Sequence, residues 1–192
     1  MRDAPLSILA ISQDFSRGNP SGSVLLRMLN TLADRHRITC LGTGPRPPEM
    51  AGAIRYIRVP RVRRCGLLVA FLTFHLTHRI ALAWLRARGS RFDVVQTVDA
   101  ESVAGNVVTY HFCSRAYLRL ARERGFLRAA GWRGIPGVLQ VWCLYQLRAV
   151  VERAVARSAR TRAIICLSEG LRRDVVDCYQ PTAPVSVIPN GW

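Results

Sequence analysis

Short apolar runs recur along this chain between polar stretches bearing glycine and proline, and their lengths sort them into strands and helices. Leu6–Ser12 (LSILAIS), Arg37–Gly42 (RITCLG), Ile54–Val59, Phe92–Val98 (FDVVQTV), Asn106–His111 (NVVTYH), Ala163–Leu167 and Val185–Ile188 are brief, and most are β-branched, as strands are. Val24–Ala33 places Val24, Leu25, Met28, Leu29 and Leu32 at helical spacing with no breaker inside. Ser114–Arg124 and Val138–Ala159 predict two further helices, separated by a loop carrying Gly131, Gly134, Pro136 and Gly137. Strand and helix alternate in an order that predicts a Rossmann-like α/β fold, a doubly wound and mostly parallel sheet, in one domain over residues 1–188.

The carboxyl-terminal stretch is the most regular. Ser168 follows a strand and is placed to cap a helix that closes near Tyr179, ahead of Pro181, before the last strand begins, so the segment predicts a βαβ unit. Pro189-Asn190-Gly191 then forces a sharp change of direction. One interval breaks the pattern: only about eight residues separate Phe92–Val98 from Asn106–His111, where a parallel crossover with a helix takes a dozen or more, which leaves the strand order there open.

Composition narrows the class. A chain of 192 residues with 49% hydrophobic content is long and apolar enough for a folded core. Its first apolar run, Leu6–Ile11, is too short for a secretory signal, and its six cysteines form no C-x-x-C pair, so a cytoplasmic protein with reduced thiols is expected. His75 and His78 share a helix face, but no further residues stand at metal-ligand spacing, and no metal site is expected.

The net charge of +16 rests on arginine alone, since the chain has no lysine. Such a surplus attracts anionic lipid, nucleic acid or diphosphates, although a general arginine bias or an acidic second domain would account for it equally. Cys65–Arg88 is a long apolar helix flanked by Arg61, Arg63 and Arg64 before it and by Arg86, Arg88 and Arg91 after it. His75, His78 and Arg79 near its middle argue against a membrane span. It either touches a membrane surface peripherally or packs as a buried helix, and the first reading would make the chain a non-catalytic module for anionic lipid. No helix-turn-helix, RNP or zinc-finger pattern accompanies the arginines, so nucleic acid is not an expected partner.

Three places could carry chemistry, and a further acidic residue, Glu152, is assigned none. The loop Ser16–Ser23 (SRGNPSGS) lies between the first strand and the first helix, where glycine admits close approach and free N–H groups of a helix start can face a phosphate; neither GxGxxG nor GxxxxGK[ST] is present. His111 ends a strand, at the edge where open α/β sheets bind ligands, and its imidazole can donate or accept a proton near neutral pH. Asp99 and Glu101 could orient acceptor hydroxyls or be a solvated loop. Glu152 has an adequate structural account in an i,i+4 pair with Arg148 or an inward hydrogen bond. Ser/His/Asp arrangements and paired carboxylates are lacking, which argues against nucleophilic hydrolysis.

The Ser168-Glu169 helix and the Ile188-Pro189-Asn190-Gly191 turn resemble the end of the first domain in family 4 (group 1) glycosyltransferases of the GT-B fold. That resemblance implies the acceptor-binding half of a retaining enzyme that transfers a sugar from a nucleotide-sugar co-substrate to an acceptor, with no bound cofactor or metal. It implies that Ser21-Gly22 stands at the family's Gly-Gly pair facing donor diphosphate and acceptor, one glycine being replaced. Thr109-Tyr110-His111 matches the family's Thr-x-His, making His111 the catalytic contact to the transferred sugar. Residues 189–192, with Asn190 and Gly191, would begin the hinge to a donor-binding half, supplied by a missing carboxyl-terminal half or a second chain. Without it the chain is expected to be inactive.

Overall fold

The computed structural model describes residues 4–16, 18–62, 66–125 and 135–190. Seven strands form one sheet, β1 (Ser7–Ile11), β2 (Arg37–Gly42), β3 (Arg55–Arg58), β4 (Val94–Val98), β5 (Val107–Tyr110), β6 (Ala163–Cys166) and β7 (Val185–Val187), in the order β3-β2-β1-β4-β5-β6-β7. Every neighbouring pair is parallel. The helices are α1 (Pro20–Leu32), α2 (Leu67–Ala87), α3 (Ser114–Glu123), α4 (Ile135–Ala156) and α5 (Glu169–Tyr179). The doubly wound Rossmann-like sheet is therefore the observed fold, with strand ends trimmed by a residue or two. Arg63, Arg64, Cys65, Gly131, Gly134 and Gly191 lie outside the described residues.

Alternation along the strands divides the core. On one face α1 covers Ile8, Ala10, Ile38, Cys40 and Val98. On the other, α2 covers Leu9, Ile11, Leu41 and Val95, while α4 and α5 cover Val108, Tyr110, Ile164 and Cys166. On the α1 side no described helix covers the far end of the sheet, and Ile188 remains 54% exposed there.

Three features differ from the sequence reading. Helix α1 begins at Pro20 rather than Val24, so Ser21 and Gly22 lie in its first turn and not in a loop. Proline at the first helical position needs no N–H partner and arrives with helical φ, a start signal that the loop-like composition around it obscures. Strands β4 and β5 are parallel neighbours although only residues 99–106 join them. Eight extended residues reach roughly 26 Å, twice the rise of a four-residue strand, so no helix is required. The link instead lies flat on β4: a Cβ on Gly105 would sit 2.5 Å from Thr97 Oγ1. Finally, α4 begins at Ile135 rather than Val138, so Pro136 and Gly137 lie in its first turn and not in the loop before it. α2 is long and apolar enough to cross a membrane by length and composition, and its Phe71, Phe74, His78, Leu82 and Leu85 face packs on the domain, as one of its two readings expects.

The two histidines of α2 clamp that link. His75 Nε2–H donates to Ala100 O at 2.9 Å. His78 donates from Nδ1 to Phe74 O at 2.8 Å and accepts at Nε2 from Ser102 Oγ at 2.9 Å, which is the neutral tautomer. Burial pushes both imidazoles down to about 4, in keeping with uncharged rings.

Candidate functional site

A crevice of about 340 Å³ opens between α1 and the carboxyl-terminal halves of β4, β5, β6 and β7. Its floor is the uncovered sheet face, with Gln96, Thr109 and Ile165, and one wall is the outer face of α1, with Val24, Arg27 and Met28. His111, the residue after β5, lines it, and so does Asn190 of the turn that ends the chain. Gln96 Nε2 donates to Thr109 Oγ1 at 3.2 Å, fixing two polar side chains of the floor. Thus His111 and Asn190, far apart in sequence, share one cavity. Arg27 was not singled out by the sequence reading; its signal is the spacing of 24, 27, 28 and 31, one helical face.

His111 is held from behind. Its backbone N–H donates to Asp99 Oδ1 at 2.6 Å, and the Phe112 N–H donates to the same oxygen at 3.2 Å. The other Asp99 oxygen lies 3.7 Å from Arg148 Nη2 on α4. Asp99 sits at φ 45°, a left-handed backbone that a short hydrogen-bonding side chain tolerates. Burial pushes its carboxyl up to about 6, against the pull of Arg148 and the two N–H donors. Burial also lowers the His111 pKa, so a neutral ring faces the crevice at pH 7.

Glu101 holds the loop after β1. Its Oε2 accepts the Gln13 N–H at 3.1 Å, at the start of the loop after β1. Burial, and then the charge of Asp99 nearby, push this carboxyl up to about 7. Asp99 and Glu101 are only 6% and 8% exposed. Asp99 is spent on the His111 and Phe112 N–H groups and on Arg148, and Glu101 on the Gln13 N–H, and neither carboxylate lines the crevice.

Ser21 and Gly22 head α1, above the residues that line the crevice, and do not themselves line it. No side chain caps this first turn, and it holds no acidic residue. The Asn19 Nδ2 is turned away to donate to Asp14 O at 2.9 Å. Gly22 has an internal duty as well: a Cβ there would lie 1.7 Å from Asp14 O, so only glycine lets α1 rest on the loop before it.

Glu152 has a structural task behind the site. It is fully buried, and the inward alternative is the one realised: Oε2 accepts from Ser114 N at 2.9 Å and from Tyr179 Oη at 2.5 Å, and Oε1 accepts from Ser114 Oγ at 2.6 Å. These bonds tie α3, which begins just past His111, to α4 and α5.

A family model described as Glycosyltransferase Family 4 matches residues 21–192. No curated protein matches the chain. Among solved structures, WaaG, a glycosyltransferase involved in lipopolysaccharide biosynthesis, is 17% identical, with a TM-score of 0.67 over 95% of this chain and 44% of its own. A UDP-glucosyltransferase from Polygonum tinctorium capable of glucosylating indoxyl is 12% identical, with a TM-score of 0.57 over 98% of this chain and 53% of its own. A sucrose-phosphate synthase structure from Thermosynechococcus elongatus is 16% identical, with a TM-score of 0.52 over 96% of this chain and 89% of its own. The chain spans about half the length of the first two. Its fold is one half of the GT-B architecture.

Proposed function

We propose that this chain, which belongs to glycosyltransferase family 4, forms the acceptor-side half of an enzyme that transfers a sugar from a nucleotide-sugar to an acceptor with retention of anomeric configuration. The observation that carries this reading is His111, a ring kept neutral by burial at the carboxyl edge of β5, inside a crevice shared with Asn190. In that position it can hydrogen-bond the transferred sugar, with Asp99 holding the backbone behind it. The uncapped first turn of α1 at Ser21 and Gly22 faces the donor diphosphate. No bound metal or cofactor enters the scheme. The reaction is assigned to the cytoplasm.

Donor binding falls to a second half, continuous with the chain or on another polypeptide, as the lengths of the solved relatives support. A departing diphosphate needs charge-stabilising groups from both walls, so one wall alone is catalytically silent. The test is consumption of labelled nucleotide-sugars by the chain alone and by the chain joined to a family donor-binding half. Turnover is expected only in the joined form, and His111→Ala is expected to lower kcat there by roughly 10²-fold or more. Transfer by the chain alone, or full turnover by the His111 variant, overturns the reading.

A further inference from the structure

The carboxylates that the sequence offers to an acceptor, Asp99 and Glu101, are buried on other donors, and no carboxylate lines the crevice beside α1. A second cavity has what that crevice lacks. It lies between α3 and α5 and holds about 410 Å³, within the range of about 300–1,000 Å³ usual for small-molecule sites. His111 lines both cavities, so the two meet at the residue assigned to the transferred sugar. Phe112 and Tyr117 supply the aromatic part of the second cavity, and Arg119, Glu123 and Asp174 supply its charged part.

The aromatic part is a braced shelf. The Phe112 ring centroid lies 5.5 Å from that of Tyr117 and 5.7 Å from that of Tyr145 on α4, and the two tyrosine rings are 4.5 Å apart. All three remain partly exposed. Tyr56, Tyr110 and Tyr179 each donate a hydrogen bond from the hydroxyl, whereas among the described residues the Tyr117 and Tyr145 hydroxyls have no partner. Glu123 is exposed and likewise unpaired among the described residues, and Asp174 reaches only Arg119, at 3.8 Å. Ring faces take apolar C–H surface, while free carboxylates and hydroxyls take several O–H donors. A pyranose ring presents both at once. A lipid alcohol or a phenol brings a single hydroxyl and leaves most of these groups unused.

We propose that the cavity between α3 and α5 is the acceptor subsite, and that the acceptor is a saccharide. A sugar ring stacks on the shelf of Phe112 and Tyr117, its hydroxyls donate to Glu123 and Asp174, and Arg119 donates to its oxygens. Its near edge then adjoins His111. The role as acceptor rests on the sugar transfer proposed above, whereas saccharide binding needs no donor half.

The test is saturation-transfer NMR of the chain alone with the methyl pyranosides of glucose, galactose and mannose, and with phenol and octanol as one-hydroxyl comparators. At least one pyranoside is expected to bind in the millimolar range, with saturation strongest on the C–H protons of one ring face. Tyr117→Ala should weaken that binding about tenfold, and the exposed Glu123→Ala about threefold. Trp84→Leu, which removes an exposed ring on α2, should leave it unchanged. Melting curves check that each variant is folded; if Tyr117→Ala is not, Tyr117→Phe replaces it, with a loss of about threefold from the hydroxyl alone. Binding of no pyranoside, native affinity in both the Tyr117 and Glu123 variants, an equal loss in Trp84→Leu, or tighter binding of phenol or octanol than of every pyranoside would overturn the proposal. Pyranoside binding with the expected losses, in a joined enzyme that transfers nothing, would leave the saccharide site standing and count against the transferase reading alone. Turnover by the joined form without pyranoside binding would do the opposite.

Discussion

Glu152→Ala should unlock the three helices that stand behind His111, and the size of the loss follows from its partners. The carboxylate is fully buried and is the acceptor for three donors, the Ser114 N–H, the Ser114 hydroxyl and the Tyr179 hydroxyl. Burial raises its pKa while these donors oppose the rise. Alanine removes every acceptor and leaves the donors buried. At about 1–3 kcal/mol for each unsatisfied group, partly relieved by relaxation, the loss comes to about 3–5 kcal/mol. A domain holds about 5–15 kcal/mol of stability in all, so a fifth or more disappears. Glutamine behaves differently. Its carbonyl can take over the two Oε2 partners, while its NH₂ meets Ser114 Oγ, which can turn to accept; the cost should be about 1 kcal/mol. Urea unfolding at pH 7, followed by circular dichroism, measures both variants. Equal losses for alanine and glutamine, or an alanine loss under about 1 kcal/mol, would refute the reasoning, because hydrogen-bond acceptance would then not be what Glu152 supplies.

Gly22→Ala should destabilise the domain by about 1–3 kcal/mol in thermal melts, although alanine favours a helix by about 1 kcal/mol, because the added methyl collides with Asp14 O; a neutral or raised Tm would show the approach is not tight. Glu101→Gln bears on pH. The folded carboxyl titrates near 7 instead of 4.5, so its contribution to stability is full below 4.5 and is lost as the pH rises through 7. The glutamine variant should therefore gain on the native chain at pH 8, by about 3 kcal/mol at most, and show no gain at pH 4.5; parallel pH–stability curves would contradict this. Ser168→Ala removes the cap that accepts from Leu171 N at 3.2 Å and should cost about 1 kcal/mol in urea unfolding, with no measurable loss as the contrary result.

Much of the architecture was legible before any coordinates, because periodicity and breakers act locally. Ala163–Cys166, the Ser168 cap, the helix to Tyr179 and the strand at Val185 appear where alternation, capping and Pro181 put them. Strand-end position likewise marked His111, since the carboxyl edge of a parallel sheet is where crevices open. Sequence signals were weaker wherever one residue type serves two roles. Asn-Pro-Ser-Gly describes a loop as readily as a helix start, and only the packed chain shows Gly22 against Asp14.

The tertiary structure alone decided what the acidic residues do. In sequence Asp99 and Glu101 read as acceptor contacts or a solvated loop, and Glu152 as an ion pair or an inward hydrogen bond; each is in fact buried on donors 12, 88 or 38 residues away. It also decided the β4–β5 neighbourhood, which needed the 99–106 link to be pinned by His75 and His78. The physical reason is common to these cases. Local sequence sets which backbone conformations are favourable, whereas a buried charge or a short crossover is stable only where distant chain segments bring donors to it, and those distances exist only after folding.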